Sequence, residues 1–342
     1  MALHVVKPCR TLMLLSMLDF LKFRTFDQTV INRLLSSGDF NHVQSKDHYI
    51  YYFQHKKYSK IKLEFRKSSK NLAENEFTYV DLFISPHYHF NKYKHNGNDF
   101  TPENCKHALQ EICSVLKINP SEYSSLQCVN LEYGINMVPK TGIKNLLSGM
   151  IYFKRTPFIC SQDFPYFKIT DTSSYKQIKA YGKGMQFMHM PEYGIDINTL
   201  RFEIRNKEAV SIRKLGIHSL NDLLHNEVDN RLAQSLLDEW EHFLIVNIEP
   251  DLSGFTAEMT EYITQAKEIE FWAIKRDNNY RNRFLKEKEK YYRKSQKINN
   301  LHRLLKTQII DKLFDLTRGA NSTNKTPMKS RFFKIEKNIS PR

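Results

Sequence analysis

The chain has 342 residues, 41% of them hydrophobic, with 23 Phe and 18 Tyr, enough to bury a core of one or two lobes. Glycine and proline are sparse at 11 each, which excludes collagen-like and low-complexity chains. The net charge of +15 is lopsided: residues 273–342 hold 20 Lys+Arg against 6 Asp+Glu, whereas residues 1–272 hold 32 against 31. A neutral body with a basic appendage points to a polyanionic partner, most simply nucleic acid, with an acidic protein as the other class.

The segment "TLMLLSML" (11–18) is too short to span a membrane and is followed by Asp19, Lys22 and Arg24, so no membrane role is expected. The alternating run from Met17 reads as the first strand, and residues 1–16 as an upstream extension with Met17 a rival start to Met1. Residues 28–40 read as a short helix stopped by Gly38, and 49–54, 60–68 and 78–86 as a strand meander. Residues 87–100 form a polar loop holding His87, His89 and His95. Thr101 caps a helix over 101–118, with Pro102 in its first turn. A strand over 125–137, a helix over 141–153, a strand running into a glycine turn over 174–187 and a strand from Thr199 follow. Residues 219–246 read as one or two helices, 256–318 as helical with little interruption, and 319–342 as a disordered basic tail. The predicted class is α+β: a mainly antiparallel sheet with helices packed on it over 17–250, then an all-α basic region over 251–318. Five scattered cysteines without a CxxC pair fit reduced thiols in a cytoplasmic protein.

Three strands place polar groups at period two. Asn130, Glu132, Gly134 and Asn136 share one face; Lys179, Tyr181 and Lys183 share another; Arg201, Glu203 and Arg205 a third. If these strands are neighbours, two carboxylates, several cations and a tyrosine converge. Paired carboxylates suit a hard divalent cation, Mg or Mn, and the cations suit a phosphodiester. A solvated antiparallel sheet would show the same alternation. His87 and His89, read as strand residues, would point to one side and add metal ligands. No G-x-S-x-G, P-loop or dinucleotide fingerprint is present.

The order of these segments resembles replication initiators of filamentous phages and related rolling-circle mobile elements. It comprises the strand end Ser85-Pro86, "KHNGNDF" (94–100), "LEYGIN" (131–136), "KAYGKGMQ" (179–186), "LRFEIR" (200–205) and Leu215-Gly216. The resemblance covers about residues 17–250, and the chain departs from it at Gly182 and Asn130, where aspartate and arginine are usual. It implies an enzyme that nicks one DNA strand, single-stranded or at an origin duplex, through a metal-assisted tyrosine, stays on the 5′ phosphate and rejoins the ends. A host helicase would be a partner. The alternative is a catalytically inactive nucleic-acid-binding regulator of a mobile element. By this reading Glu132, Glu203, His87 and His89 bind metal, and Lys183 and Arg201 assist the chemistry. Lys179, Tyr181, Arg205, His95, Asn96, Arg281, Arg283, Arg293 and Lys294 contact nucleic acid. The nucleophile stays open among Tyr291, Tyr292, Tyr280 and Tyr262, with the first two ahead.

Overall fold

The computed structural model describes residues 17–43, 49–67, 77–160, 167–173, 175–277, 281–295 and 300–318. The expected upstream extension and basic tail lie outside the described residues. In chain order the elements begin β1 (Met17–Thr25), α1 (Gln28–Ser36), β2 (Phe40–Val43), β3 (Ile50–His55), β4 (Lys62–Arg66), β5 (Tyr79–Ile84), α2 (Pro86–Phe90), α3 (Pro102–Val115) and β6 (Gln127–Met137). They continue α4 (Ile143–Gly149), β7 (Met150–Phe153), β8 (Thr156–Pro157), β9 (Ile159–Cys160), β10 (Phe167–Ser173), β11 (Lys176–Gly182), α5 (Lys183–Gln186) and β12 (Leu200–Asn206). Next come α6 (Ala209–Arg213), α7 (Asn226–Trp240), β13 (Phe243–Ile245), α8 (Ala257–Gln265), α9 (Ile269–Asp277), α10 (Arg281–Ser295) and α11 (Leu301–Arg318). The fold is α+β.

Ten strands form one antiparallel sheet in the order β2-β3-β4-β5-β1-β6-β12-β11-β10-β9. Its centre is the triplet β1, β6 and β12, so residues far apart in sequence become neighbours on adjacent strands. Leu131, Tyr133 and Ile135 of β6 and Leu200, Phe202 and Ile204 of β12 point to one face and are buried. Helices cover that face: the Tyr133 hydroxyl meets Ser235 of α7 at 2.8 Å, and Phe202 packs edge-on against Trp240. Helix α11 places Leu305, Ile309 and Leu313 in the same core as the sheet. Helix α3 begins as its sequence dictates, with Thr101 accepting a hydrogen bond from the Asn104 amide and Pro102 needing no partner for its nitrogen.

Three expectations fail for local reasons. The helix expected over 141–153 ends at Gly149, because Met150–Phe153 leaves it to pair with Phe243–Ile245 in a small second sheet. That pairing also ends the helical reading of 219–246 at Trp240. A Cβ at Gly149 would lie 2.2 Å from the Val246 carbonyl oxygen, so only glycine admits the second sheet there. His87 and His89 are not on a strand. Pro86 starts the short helix α2, where proline is favoured in the first turn, and two residues at about 100° per residue put the imidazoles on opposite sides.

Candidate active site

The strand registers build the site. Glu203 stands opposite Gly134 of β6 and Lys179 of β11; Arg205 stands opposite Glu132; Arg201 stands opposite Asn136 and Tyr181. All share the sheet face that the helical core does not occupy. The face is polar but not solvated at this point: Arg201 and Glu203 are each 1% exposed, and Glu132 and Lys183 are buried. Lys179 Nζ lies 2.8 Å from Glu132 Oε2 and 2.8 Å from Glu203 Oε2. Tyr181 donates its hydroxyl to Glu203 Oε1 at 2.9 Å. Arg201 donates through Nε to Asn136 Oδ1 at 2.7 Å, through Nη2 to the Asn96 carbonyl, and holds Asp19 and Glu203 at 3.4 Å each.

Gly134 makes this convergence possible. A Cβ there would stand 2.8 Å from Glu203 Cγ and 2.4 Å from the Phe202 carbonyl oxygen. With no side chain at that position, Glu203 has room beside β6.

The structure adds a third carboxylate, Asp19. Asp19 lies at an irregularity in the β1–β6 ladder, where Leu18 pairs with Tyr133 and Phe20 with Glu132, leaving Asp19 unpaired between them. A bulge re-aims one side chain. Asp19 accepts from Asn96 Nδ2 at 2.8 and 2.9 Å and lies 3.6 Å from His87 Nδ1. Strict alternation puts Asp19 with the core-facing Leu21 and Phe23, so period two could not find it.

Burial raises all three carboxyls, and their neighbours then separate them. At Glu132, burial and the Glu203 charge outweigh Lys179 and push the carboxyl up to about 7. At Glu203, burial is opposed by Lys179, Arg201 and Lys183, and the net shift is downward. Asp19 falls well below the carboxylate range, because Arg201, His87 and Lys183 overcome its burial. Burial, aided by the Arg201 charge, pulls Lys183 down to about 7, and burial with the Glu203 charge holds the Tyr181 phenol well above its ordinary value.

The donor set fits a hard divalent cation. Asp19, Glu132 and Glu203 can each offer an oxygen, all within 4.8 Å of one another. Buried Glu203 Oε2 and Asn96 Oδ1 have no hydrogen-bond partner; Lys179 approaches Oε2 closely, but in poor hydrogen-bond geometry. Carboxylate and amide oxygens suit Mg²⁺ or Mn²⁺.

Of the residues singled out by sequence, Glu132, Glu203, Lys179, Tyr181, Lys183, Arg201, Arg205 and Asn96 meet here. His87 touches the cluster from its rim, stacked on Phe100 at 4.6 Å, and burial lowers its pKa. His89 turns away to Tyr93 and Glu111. His95 packs beside Tyr193 and Phe187. The sheet lies between the cluster and Tyr292. That hydroxyl donates to the Phe243 carbonyl at 3.0 Å and accepts from the Ile245 amide at 2.9 Å, while the Phe243 ring packs on Phe202, on the face opposite Glu203. Tyr291 is buried with its hydroxyl accepting from the Asn247 amide at 3.1 Å, and Tyr262 donates to Glu287 at 2.8 Å. Arg283 and Arg293 are exposed on α10, and Lys294 lies over the Tyr262 ring. Tyr280 and the Arg281 side chain lie outside the described residues.

Fold and site together define an antiparallel α+β protein with a buried carboxylate, lysine, arginine and tyrosine cluster on the sheet. No family model and no curated protein matches the chain. Among solved structures, the rolling-circle replication initiator protein from Geobacillus stearothermophilus is similar over 74% of this chain and 97% of its own, with 12% identity and a TM-score of 0.39. That level is too low to assign fold or activity by itself. No helix among the described residues is long and apolar enough to cross a membrane.

Proposed function

We propose that the protein cleaves and rejoins a DNA strand through a phosphotyrosine, as an initiator of rolling-circle replication, with Tyr181 as nucleophile. The observation that carries this reading is the Tyr181 hydroxyl donating to Glu203 within a face of three carboxylates and buried cations. Tyr181 thereby replaces Tyr291 and Tyr292, whose hydroxyls serve backbone groups on the other side of the sheet. The 2.9 Å hydrogen bond places Glu203 Oε1 to take the phenolic proton as the oxygen bonds to phosphorus. Tyr181 Oη bonds to phosphorus as the bond from phosphorus to the 3′ oxygen breaks, and the phenolic proton passes to Glu203. Lys183 supplies a proton to the departing 3′ oxygen. Arg201, held in place by Asn136 and the Asn96 carbonyl, offsets charge on the phosphoryl oxygens. A divalent ion held by Asp19, Glu132 and Glu203 would polarise the phosphate. Attack by a 3′ hydroxyl on the phosphotyrosine reverses the sequence and rejoins the ends.

The test is a labelled single-stranded origin oligonucleotide with Mg²⁺ or Mn²⁺. The label should become attached to the wild-type protein and not to Tyr181→Phe, while Tyr291→Phe and Tyr292→Phe still form the adduct. Label that never stays with wild-type protein, across the sequences of its replicon, would sink the reading.

A second reading, a nucleic-acid-binding regulator without catalysis, draws on the closure of the cluster: Lys179 and Arg201 already engage the carboxylates from within. It expects salt-sensitive binding with no cleavage, and Glu203→Ala without phenotype.

A further inference from the structure

We infer that the open sheet face leading away from the carboxylate cluster is the track for single-stranded nucleic acid, with rings of β1 and β5 as base platforms. The inference rests on the phosphodiester reading for what lies at the end of the track. Strand parity that puts Glu132 on this face also puts Phe20, Lys22 and Arg24 of β1 there, with Lys22 opposite Phe83 and Arg24 opposite Asp81 of β5, and Tyr79 on the same face of β5 two residues before Asp81. Rings and cations alternate. Lys22 lies 4.7 Å from the centre of the Phe83 ring, Arg24 4.0 Å from Tyr79, and Arg205 4.8 Å from Phe20. Phe20 and Phe83 are 6.4 Å apart, and both are part-exposed. The cations reach solvent: side-chain exposure is 19% at Lys22, 29% at Arg24 and 34% at Arg205.

Two features favour an unpaired strand over other occupants. Asp81, fully buried, pins Lys22 at 2.6 Å and Arg24 at 2.7 Å, so the two cations are ordered before any ligand arrives. Asp81 and its β4 neighbour Glu64 lie among Lys22, Arg24 and Arg66, three cations to two carboxylates, which leaves a net positive surface that suits phosphates. Each ring is paired with a cation, and such ring and guanidinium surfaces stack unpaired bases, whereas paired bases are stacked on each other. The surface is also continuous with the site. Arg205 bridges it, donating to Asn130 Oδ1 at 3.1 Å and lying 3.9 Å from Glu132 Oε2. From β12 to β5 the track crosses three strand spacings, roughly 14 Å. Helix α10 packs through Phe284 and Tyr291 with β7 and β13, not with β1 or β5, so it is not taken as the primary reader of the scissile strand.

The test measures binding by full-length protein of a fluorescent mixed-sequence single strand in EDTA, against unlabelled single-strand and duplex competitors. Phe20→Ala with Phe83→Ala should weaken binding about tenfold or more, as loss of base stacking does. Arg205→Gln should lower the salt slope by about one counterion. Charge reversal at Arg283 and Arg293 should cost less than the ring pair, and duplex should compete poorly. Photocrosslinking wild-type protein to a bromouracil-substituted strand needs no variant to fold, and should map to Phe20, Tyr79 or Phe83. Crosslinks confined to α10, or ring variants that bind like wild type, overturn the track. Glu203→Gln separates this from the catalytic reading: it should lose cleavage and keep binding. Loss of cleavage with unchanged ring-variant binding rejects the track alone; crosslinks on β1 and β5 without cleavage reject the catalytic reading alone.

Discussion

Burial acts on Glu132 and Glu203 alike, yet the two carboxyls shift in opposite directions although both touch the Lys179 ammonium at 2.8 Å. Glu203 has Arg201 and Lys183 as well, and Glu132 has the Glu203 charge against it. The consequence can be measured. Between the ordinary value of 4.5 and the folded value of about 7, the folded chain keeps a proton on Glu132 that the unfolded chain has released. Stability from this group is full below that window and falls as pH rises through it. Glu132→Gln, which resembles the protonated form, should flatten that fall, read as urea midpoints on either side of the window; an unchanged slope would show that Glu132 is ionised throughout. Metal binding should strengthen over the same rise, since the ligand must lose its proton. That Glu132 and Glu203 each lie on the polar face of their strand was legible from period two, although their meeting depends on strand order. Asp19 was not, because a bulge shifts parity by one residue, and nothing in "MLDFLKF" marks where the ladder slips.

At the scale of elements, β6 is the strand whose composition decides the site. It carries Glu132, Gly134 and Asn136 on one face and Leu131, Tyr133 and Ile135 on the other, and lies between β1 and β12. Gly134→Ala would place a methyl against Glu203 and the β12 backbone. The expected loss is ~1–3 kcal/mol, seen as a lower urea midpoint with unchanged slope; an unchanged midpoint would show that Glu203 can move aside freely. Helix α2 gives the opposite lesson. "HYH" alternates like a strand, but Pro86 and a return hydrogen bond from the His89 amide to the Ser85 carbonyl close a helical turn. A three-residue signal is too short to separate the two periods.

For the whole molecule, the charge boundary near residue 273 does not coincide with a boundary in packing. Helices α8 to α10 share a small core with β7 and β13 through Trp272, Phe284 and Tyr291, and α11 returns to the main core through Leu305, Ile309 and Leu313. Ile309→Ala should therefore lower the unfolding midpoint of the sheet and α11 together, by ~2–5 kcal/mol; a second transition moving alone would show that α11 melts by itself. By itself the sequence determined the α+β class, most strand positions, and the face on which Glu132, Lys179, Tyr181, Arg201 and Glu203 lie, because side-chain alternation is a local property of the extended chain. Only the tertiary structure decided that β1, β6, β12 and β11 are consecutive neighbours, that Asp19 joins the carboxylates, and that Tyr181 rather than Tyr291 or Tyr292 meets Glu203. Strand order, bulges and which side of a sheet a helix covers depend on contacts between residues far apart in the chain, which local periodicity does not encode.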